Sequence, residues 1–278
     1  MYSINCRGRL VSLEEPLVMG ILNATPDSFY EGHLDTGVAG MLNLATTMLE
    51  EGAAILDIGG LSTRPGSKPV PAEEEQARVL PLISAILDKH PQAIISIDTY
   101  RSSVAEAAIK AGAHIVNDIS GGDLDTRMLE TVARLRVPYI CMHMKGTPET
   151  MQQDPVYMDV TREVFDFFIA RIEACERAGI HDVIIDPGFG GFGKTISHNF
   201  QLLKRLSVLS ALRRPILVGL SRKSTIYKTL GVTAAEALNG TTTLHTMALL
   251  NGASILRVHD VKEARESIAL YMAYKKAP

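Results

Sequence analysis

Residues 183–194 read Val-Ile-Ile-Asp-Pro-Gly-Phe-Gly-Gly-Phe-Gly-Lys, and the fold follows from this stretch. A short β-branched apolar run describes a strand buried on both faces. The run stops at Asp186, and Pro187 cannot continue a strand ladder. Four glycines follow, which let the backbone of a loop approach a ligand closely. A buried strand that delivers a carboxylate to a glycine-rich loop is the grammar of a site.

The grammar recurs in both directions. Leu17–Leu22 ends at Asn23, Ala54–Ile58 runs into Gly59-Gly60-Leu61-Ser62-Thr63-Arg64-Pro65-Gly66, and Ile94–Ile97 ends at Asp98. Ile115-Val116 ends at Asn117-Asp118, and Pro138–Cys141 ends at Met142-His143. Beyond the central stretch, Ile216–Leu220 ends at Ser221-Arg222-Lys223-Ser224, and Ser254–Leu256 ends at Arg257-Val258-His259-Asp260. Helical patterns separate the strands. The first carries Met41, Leu42, Ala45, Met48 and Leu49 on one face and stops at Glu51-Gly52; another spans Ala72–Lys89; the last begins at Val261. Glycine, then Ala or Ile, then an apolar strand begins at Gly52, Gly112, Gly179 and Gly252, the mark of a helix cap feeding a parallel strand. Eight strand–helix units at this length predict a single-domain α/β fold, a (β/α)8 TIM barrel over residues 17–278, with residues 1–16 as an N-terminal lead-in that forms a hairpin closing one end. A doubly wound open sheet is the alternative, but no second domain or long linker is visible.

Composition excludes other classes. The 278 residues are 46% hydrophobic and 21% charged, ordinary for a globular enzyme, and a net charge of −3 gives no support to nucleic-acid binding. No apolar run reaches membrane-spanning length, and the N-terminus shows no secretory apolar segment. Cys6, Cys141 and Cys175 share no metal or redox spacing, which predicts reduced packing residues in a cytoplasmic protein.

In a (β/α)8 barrel the strand C-termini gather on the face where active sites are built. Asn23, Thr63, Arg64, Asp98, Asn117, Met142, Asp186, Lys223, Arg257 and His259 would meet there, around a small ligand rich in heteroatoms. Plainer roles stand beside this one. Asp98 can cap a helix starting near Tyr100, Asn117 can hold its own turn, and Arg257 and His259 can be structural groups near a helix start. Gly188–Thr195 also satisfies the phosphate-loop pattern Gly-x-x-x-x-Gly-Lys-Thr. We reject that reading: Asp186 puts like charge beside the supposed phosphate cradle, the next helix starts at Ile196-Ser197-His198-Asn199, and the strand at 216–220 supplies no magnesium-binding Asp.

The motifs at 19–29 (Met-Gly-Ile-Leu-Asn-Ala-Thr-Pro-Asp-Ser-Phe), 62–66, 96–99 (Ser-Ile-Asp-Thr), 116–122 (Val-Asn-Asp-Ile-Ser-Gly-Gly), 142–144 (Met-His-Met), 186–190, 221–224 and 257–260 resemble, in order, those of the dihydropteroate synthase family. That family is a (β/α)8 barrel that condenses 6-hydroxymethyl-7,8-dihydropterin diphosphate with p-aminobenzoate, giving 7,8-dihydropteroate and pyrophosphate. The resemblance implies that Asp186 accepts from the pterin ring edge, with Asp98, Asn117, Ile119, Met142, Lys223 and Arg257 completing the pterin site. It implies a diphosphate site of Asn23, Arg64, Arg257 and His259, with Mg2+ on Asn23 and no protein nucleophile. It implies that loops 25–35 and 61–69 fold over the site, and that Phe29, Thr63, Pro65, Phe192, Lys223 and Ser224 form the p-aminobenzoate pocket. It also implies a homodimer built through late helices. The chain departs from the family pattern at Leu61, where Glu is common, and at the extra glycine of 190–191, which leaves Phe189 and Phe192 as competing pocket residues. A pterin-binding methyltransferase that passes methyl from methyltetrahydrofolate to a corrinoid protein is the second resemblance, against which Ser-Thr-Arg-Pro-Gly and Ser-Arg-Lys-Ser argue.

Overall fold

The computed structural model describes residues 2–24, 37–61, 70–147, 150–151 and 153–278. The chain opens with an antiparallel hairpin, β1 (Ser3–Cys6) and β2 (Arg9–Ser12), joined by Arg7-Gly8 with both residues at positive φ, the geometry that matches strand twist in a two-residue turn. The parallel strands follow as β3 (Leu17–Asn23), β4 (Ile55–Gly59), β5 (Ile95–Asp98), β6 (Ile115–Asp118), β7 (Tyr139–Met142), β8 (Val183–Asp186), β9 (Leu217–Val218) and β10 (Ile255–Val258). They pair in the order β8-β7-β6-β5-β4-β3-β10-β9. A parallel bridge between Ile185 and Ile216 joins the two ends and closes the (β/α)8 barrel.

The helices are α1 (Val38–Glu50), α2 (Ala72–Lys89), α3 (Ser102–Lys110), α4 (Met128–Leu135), α5 (Val160–Ala178), α6 (Ile196–Lys204), α7 (Ser224–Leu230), α8 (Leu238–Leu250) and α9 (Val261–Lys276). Helix α2 has the predicted bounds. The strand expected over 216–220 is only two residues long, because on the β8 side its ladder reduces to that single bridge.

Both faces of each barrel strand are buried, and the two faces do different work. Val18, Leu56, Ile95, Val116, Val183, Val218 and Leu256 point outward and join the helices in the larger core. Met19, Ile55, Ile94, Ile115, Ile140, Ile184, Leu217 and Ile255 point into the lumen and form a second core with Ile4, Cys6 and Leu13 of the hairpin. The hairpin therefore plugs the N-terminal end of the barrel with apolar surface. Two residues further along the same inward rows stand Asp57, Asn117, Met142, Asp186 and Arg257, with Asp98 four beyond Ile94, since the side-chain period of a strand is two. The lumen changes from oil to charge within one repeat. All three cysteines are free and buried, and no described helix is long and apolar enough to cross a membrane.

Candidate active site at the strand ends

The strongest cluster joins residues far apart in the chain. Arg257 donates through Nε to Asp57 Oδ2 at 2.6 Å and through Nη2 to Asp98 Oδ2 at 2.6 Å. Asn117 Nδ2 donates to the same Asp57 oxygen at 3.0 Å. Burial works against the charge of Arg257, and Asp57 and Asp98 more than restore it. Burial also pushes the carboxyl of Asp98 up; Arg257 opposes this, while the nearby charge of Asp57 adds to it. One guanidinium is thus held across the mouth of the lumen by two carboxylates, a geometry that the planar fork of Arg provides and Lys does not.

Two plainer readings are corrected here. Asp98 does not cap the following helix: α3 begins at Ser102 after Arg101, with no side-chain cap, and Asp98 binds Arg257 instead. Asn117 does not hold its own turn, because its amide goes across the lumen to Asp57. The adjacent Asp118 does the local work, accepting from Ser120 N and Oγ, Gly122 N and the Tyr139 hydroxyl.

Asp57 was missed as a site residue. It is fully buried, and its Oδ1 has no hydrogen-bond partner among the described residues. A carboxylate in the middle of an apolar run, Ala-Ile-Leu-Asp-Ile, is the signal that could have found it, since an unpaired charge there is too costly to be incidental.

Across the mouth, Asp186 is 6% exposed and accepts the Gly188 N–H through Oδ1 at 2.8 Å. Burial raises its pKa, against the pull of Lys223. Burial in turn lowers Lys223 to about 8, with Asp186 favouring its charge. Lys223 Nζ donates to the Phe189 carbonyl at 2.6 Å and lies 4.9 Å from the Phe192 ring centroid. Phe189 itself is fully buried in the larger core, whereas Phe192 is half-buried beside Lys223. Of the two aromatic rings, only Phe192 faces the site.

Ile119 and Met142 are each 4% exposed and supply apolar wall. Ser221 Oγ accepts the His259 N–H at 3.2 Å and lies 3.0 Å from His259 Nδ1, so β10's exit loop is tied to β9's. Arg222, at φ 52, forks onto both oxygens of Asp260 at 2.8 Å and strengthens that tie. Ser224 opens α7 directly after Lys223. Asn23 ends β3, and its side chain borders Gly59 together with Asp98. Phe29, Thr63, Arg64 and Pro65, with the loops 25–35 and 62–69, lie outside the described residues.

Helix α6 begins at Ile196 behind an N-cap at Thr195, whose hydroxyl accepts the His198 N–H while the His198 ring accepts the Thr195 N–H. The Lys-Thr pair therefore precedes the helix and does not open it, as the rejection of the phosphate-loop reading requires.

Comparison with known proteins gives the family. Residues 19–259 match the family model described as "Pterin binding enzyme". The dihydropteroate synthase of Escherichia coli strain K12 is 44% identical over 269 residues, covering 96% of this chain and 94% of that protein. A dihydropteroate synthase of Xanthomonas albilineans, solved with 4-aminobenzoic acid, is 41% identical over 99% of both chains, with a TM-score of 0.92. That of Yersinia pestis, solved in complex with a sulfonamide drug, is 40% identical over 99% of this chain and 100% of its own, with a TM-score of 0.94. The methyltransferase alternative is not favoured by these relatives. With 44% identity over nearly its whole length and a family-model match over residues 19–259, the chain belongs to the dihydropteroate synthase family of pterin-binding enzymes.

Proposed function

We propose that this chain condenses 6-hydroxymethyl-7,8-dihydropterin diphosphate with p-aminobenzoate, releasing 7,8-dihydropteroate and pyrophosphate. The observation that carries the reading is a recessed carboxylate, Asp186, at the same mouth as an Arg257 braced by Asp57 and Asp98. An amino-pyrimidinone edge presents adjacent N–H donors, which a carboxylate accepts in a bidentate manner. In this reading Asp186 takes that edge, Asn117 and Asp98 take the rest of the ring, and Lys223 leaves the Phe189 carbonyl to donate to the ring's acceptor side. Arg257 stacks on the pterin face, and Ile119 and Met142 close the slot.

The diphosphate then lies toward Asn23, Arg64, Arg257 and His259. Departure of pyrophosphate leaves positive charge on the methylene carbon, which the dihydropterin ring delocalises, so the substitution is dissociative. The aromatic amine attacks that carbon and loses its proton, and no protein nucleophile is needed. Phe192, Lys223 and Ser224, with Phe29, Thr63 and Pro65, build the p-aminobenzoate pocket. Keeping water from it protects the cationic centre from hydrolysis.

Magnesium suits the donors present. No group of three or more His, Cys, Asp or Glu able to hold a metal occurs among the described residues, and Asn23 offers one amide oxygen. A magnesium ion that takes its other ligands from phosphate and water needs no more than that. When bound it would neutralise charge on the leaving diphosphate. Asn23 would orient that group, and His259, fixed by Ser221, would hold its far end.

We place the working enzyme in the cytoplasm as a homodimer. Exposed Leu230, Met247, Leu250, Leu270 and Tyr274 on α7, α8 and α9 support an association through the late helices, and sedimentation measures it. A coupled pyrophosphate-release assay tests the reaction: release should require both substrates, and release with either one omitted at the full rate would overturn it.

A further inference from the structure

Lys194 stands where a phosphate-loop lysine would stand, and its ammonium is used otherwise. The residue is 2% exposed. Its Nζ donates to the carbonyls of Gly188 at 3.1 Å, Phe192 at 3.2 Å and His143 at 3.3 Å, and lies 2.9 Å from His143 Nδ1. Among the described residues it has no ion pair. A buried lysine held by three carbonyls and an imidazole nitrogen, with no carboxylate paired to it, is expensive for a fold, so what it fastens is informative.

It fastens both ends of one loop to the segment after β7. Gly188 and Gly193 both take φ +69, and an added Cβ would fall 2.1 Å from the His143 carbonyl oxygen at the first and 2.4 Å from the Lys145 carbonyl oxygen at the second. The loop therefore lies directly on that segment. Asn199 grips its centre, accepting the Gly190 N–H at 2.7 Å and donating to the Gly190 carbonyl at 3.1 Å. The Tyr157 hydroxyl donates to the Gly193 carbonyl at 2.8 Å. What the loop presents to the site is the Phe189 carbonyl and the Phe192 ring, both on Lys223. The strands, by contrast, place Asp57, Asp98 and Asn117 without any help from this loop.

We propose that Lys194 is a positioning residue for the aromatic amine. It cinches residues 188–193 so that Phe192 and Lys223 keep one arrangement, in a loop to which the extra glycine would otherwise give freedom. This rests on the reaction proposed above. Asp57, Asp98, Asn117 and Arg257 stand on strands and should not depend on it; Asp186, which accepts from Gly188, and Lys223, which rests on Phe189, touch the loop, so the pterin should feel its loosening less than the amine does. Burial lowers the pKa of Lys194 to about 7, Asp186 opposing and Lys223 and Lys145 adding to the shift, with His143 against the amine. Between that value and its unfolded pKa of 10.5 the unfolded chain holds the extra proton, so this group makes the fold more stable as pH rises through that window.

The test uses Lys194→Met, which keeps the stem and removes the donors, and Tyr157→Phe, which removes only the hydroxyl bond to Gly193. Lys194→Met should raise the KM for p-aminobenzoate about ten-fold, leave that for the pterin diphosphate within about three-fold, and speed amide exchange over 188–193. It should also flatten the rise in stability between pH 7 and 10.5 relative to wild type. Tyr157→Phe should shift p-aminobenzoate alone, by about two-fold. Both KM values rising by equal factors, or neither moving, would overturn the proposal. If Lys194→Met does not fold, Tyr157→Phe decides by the same split. Wild type without turnover would sink the reaction instead, and exchange at 188–193 would still judge the clamp.

Discussion

The lower and upper halves of the barrel lumen are built by the same strands, in the same inward rows, two residues apart. Ile55 is followed by Asp57, Ile115 by Asn117, Ile184 by Asp186 and Ile255 by Arg257. The lower half is apolar and sealed by the hairpin. The upper half collects Asp57, Asp98, Asn117, Asp186 and Arg257, and leaves Asp57 Oδ1 and Ser96 Oγ buried without partners among the described residues. The contrast teaches that stability and binding are separated along each strand by one pleat. The lower layer holds the barrel by burying area; the upper one gives up stability to keep polar groups ready for a ligand.

The sharpest way to break the contrast is to change both positions on β8. Asp186→Asn swaps an acceptor for a donor facing ligand N–H groups, and should cost about 2–5 kcal/mol of pterin binding by calorimetry. Its Oδ1 can still accept from Gly188, so unfolding free energy should stay within about 1 kcal/mol of wild type. Ile184→Ala should do the reverse, losing about 2–5 kcal/mol of stability in urea titrations with pterin affinity unchanged. Equal losses of binding in the two variants would end the division of labour.

A buried polar group with no ligand to serve gives the control. His245 on α8 is 1% exposed, and neither ring nitrogen has a hydrogen-bond partner among the described residues. Burial lowers its pKa to about 4, against the pull of Asp260. Between about pH 4 and 6.5 the unfolded state binds the extra proton, so this residue's contribution to stability rises with pH across that window. His245→Leu should therefore be more stable than wild type at pH 4 by about 3 kcal/mol beyond any difference at pH 7, with turnover unchanged. Parallel stability curves for the two proteins would show that the ring is solvated. The smallest expected effect sits at the boundary between the halves. Ser96→Ala removes a buried hydroxyl that has no partner among the described residues, and should change stability by less than about 1 kcal/mol, in the stabilising direction, without altering pterin affinity.

The order of the strands, the face that carries the site and most of the residues on it were legible in the sequence. Apolar runs ending in Asn, Asp, Lys or Arg state locally that a strand is buried and that something polar waits at its C-terminal end. Asp186, Lys223 and Arg257 were readable for that reason. Asp57 was not, because it stands two residues inside the end of β4 and its meaning comes from Arg257, 200 residues away. The choice between Phe189 and Phe192 was likewise open in the sequence, where both flank the same glycines. Packing decided it by placing one ring in the core and the other against Lys223. A local pattern reports what each strand must bury and expose. Which charges meet is decided only when the barrel closes and brings distant strand ends within hydrogen-bonding distance, and no periodicity along one chain segment encodes that distance.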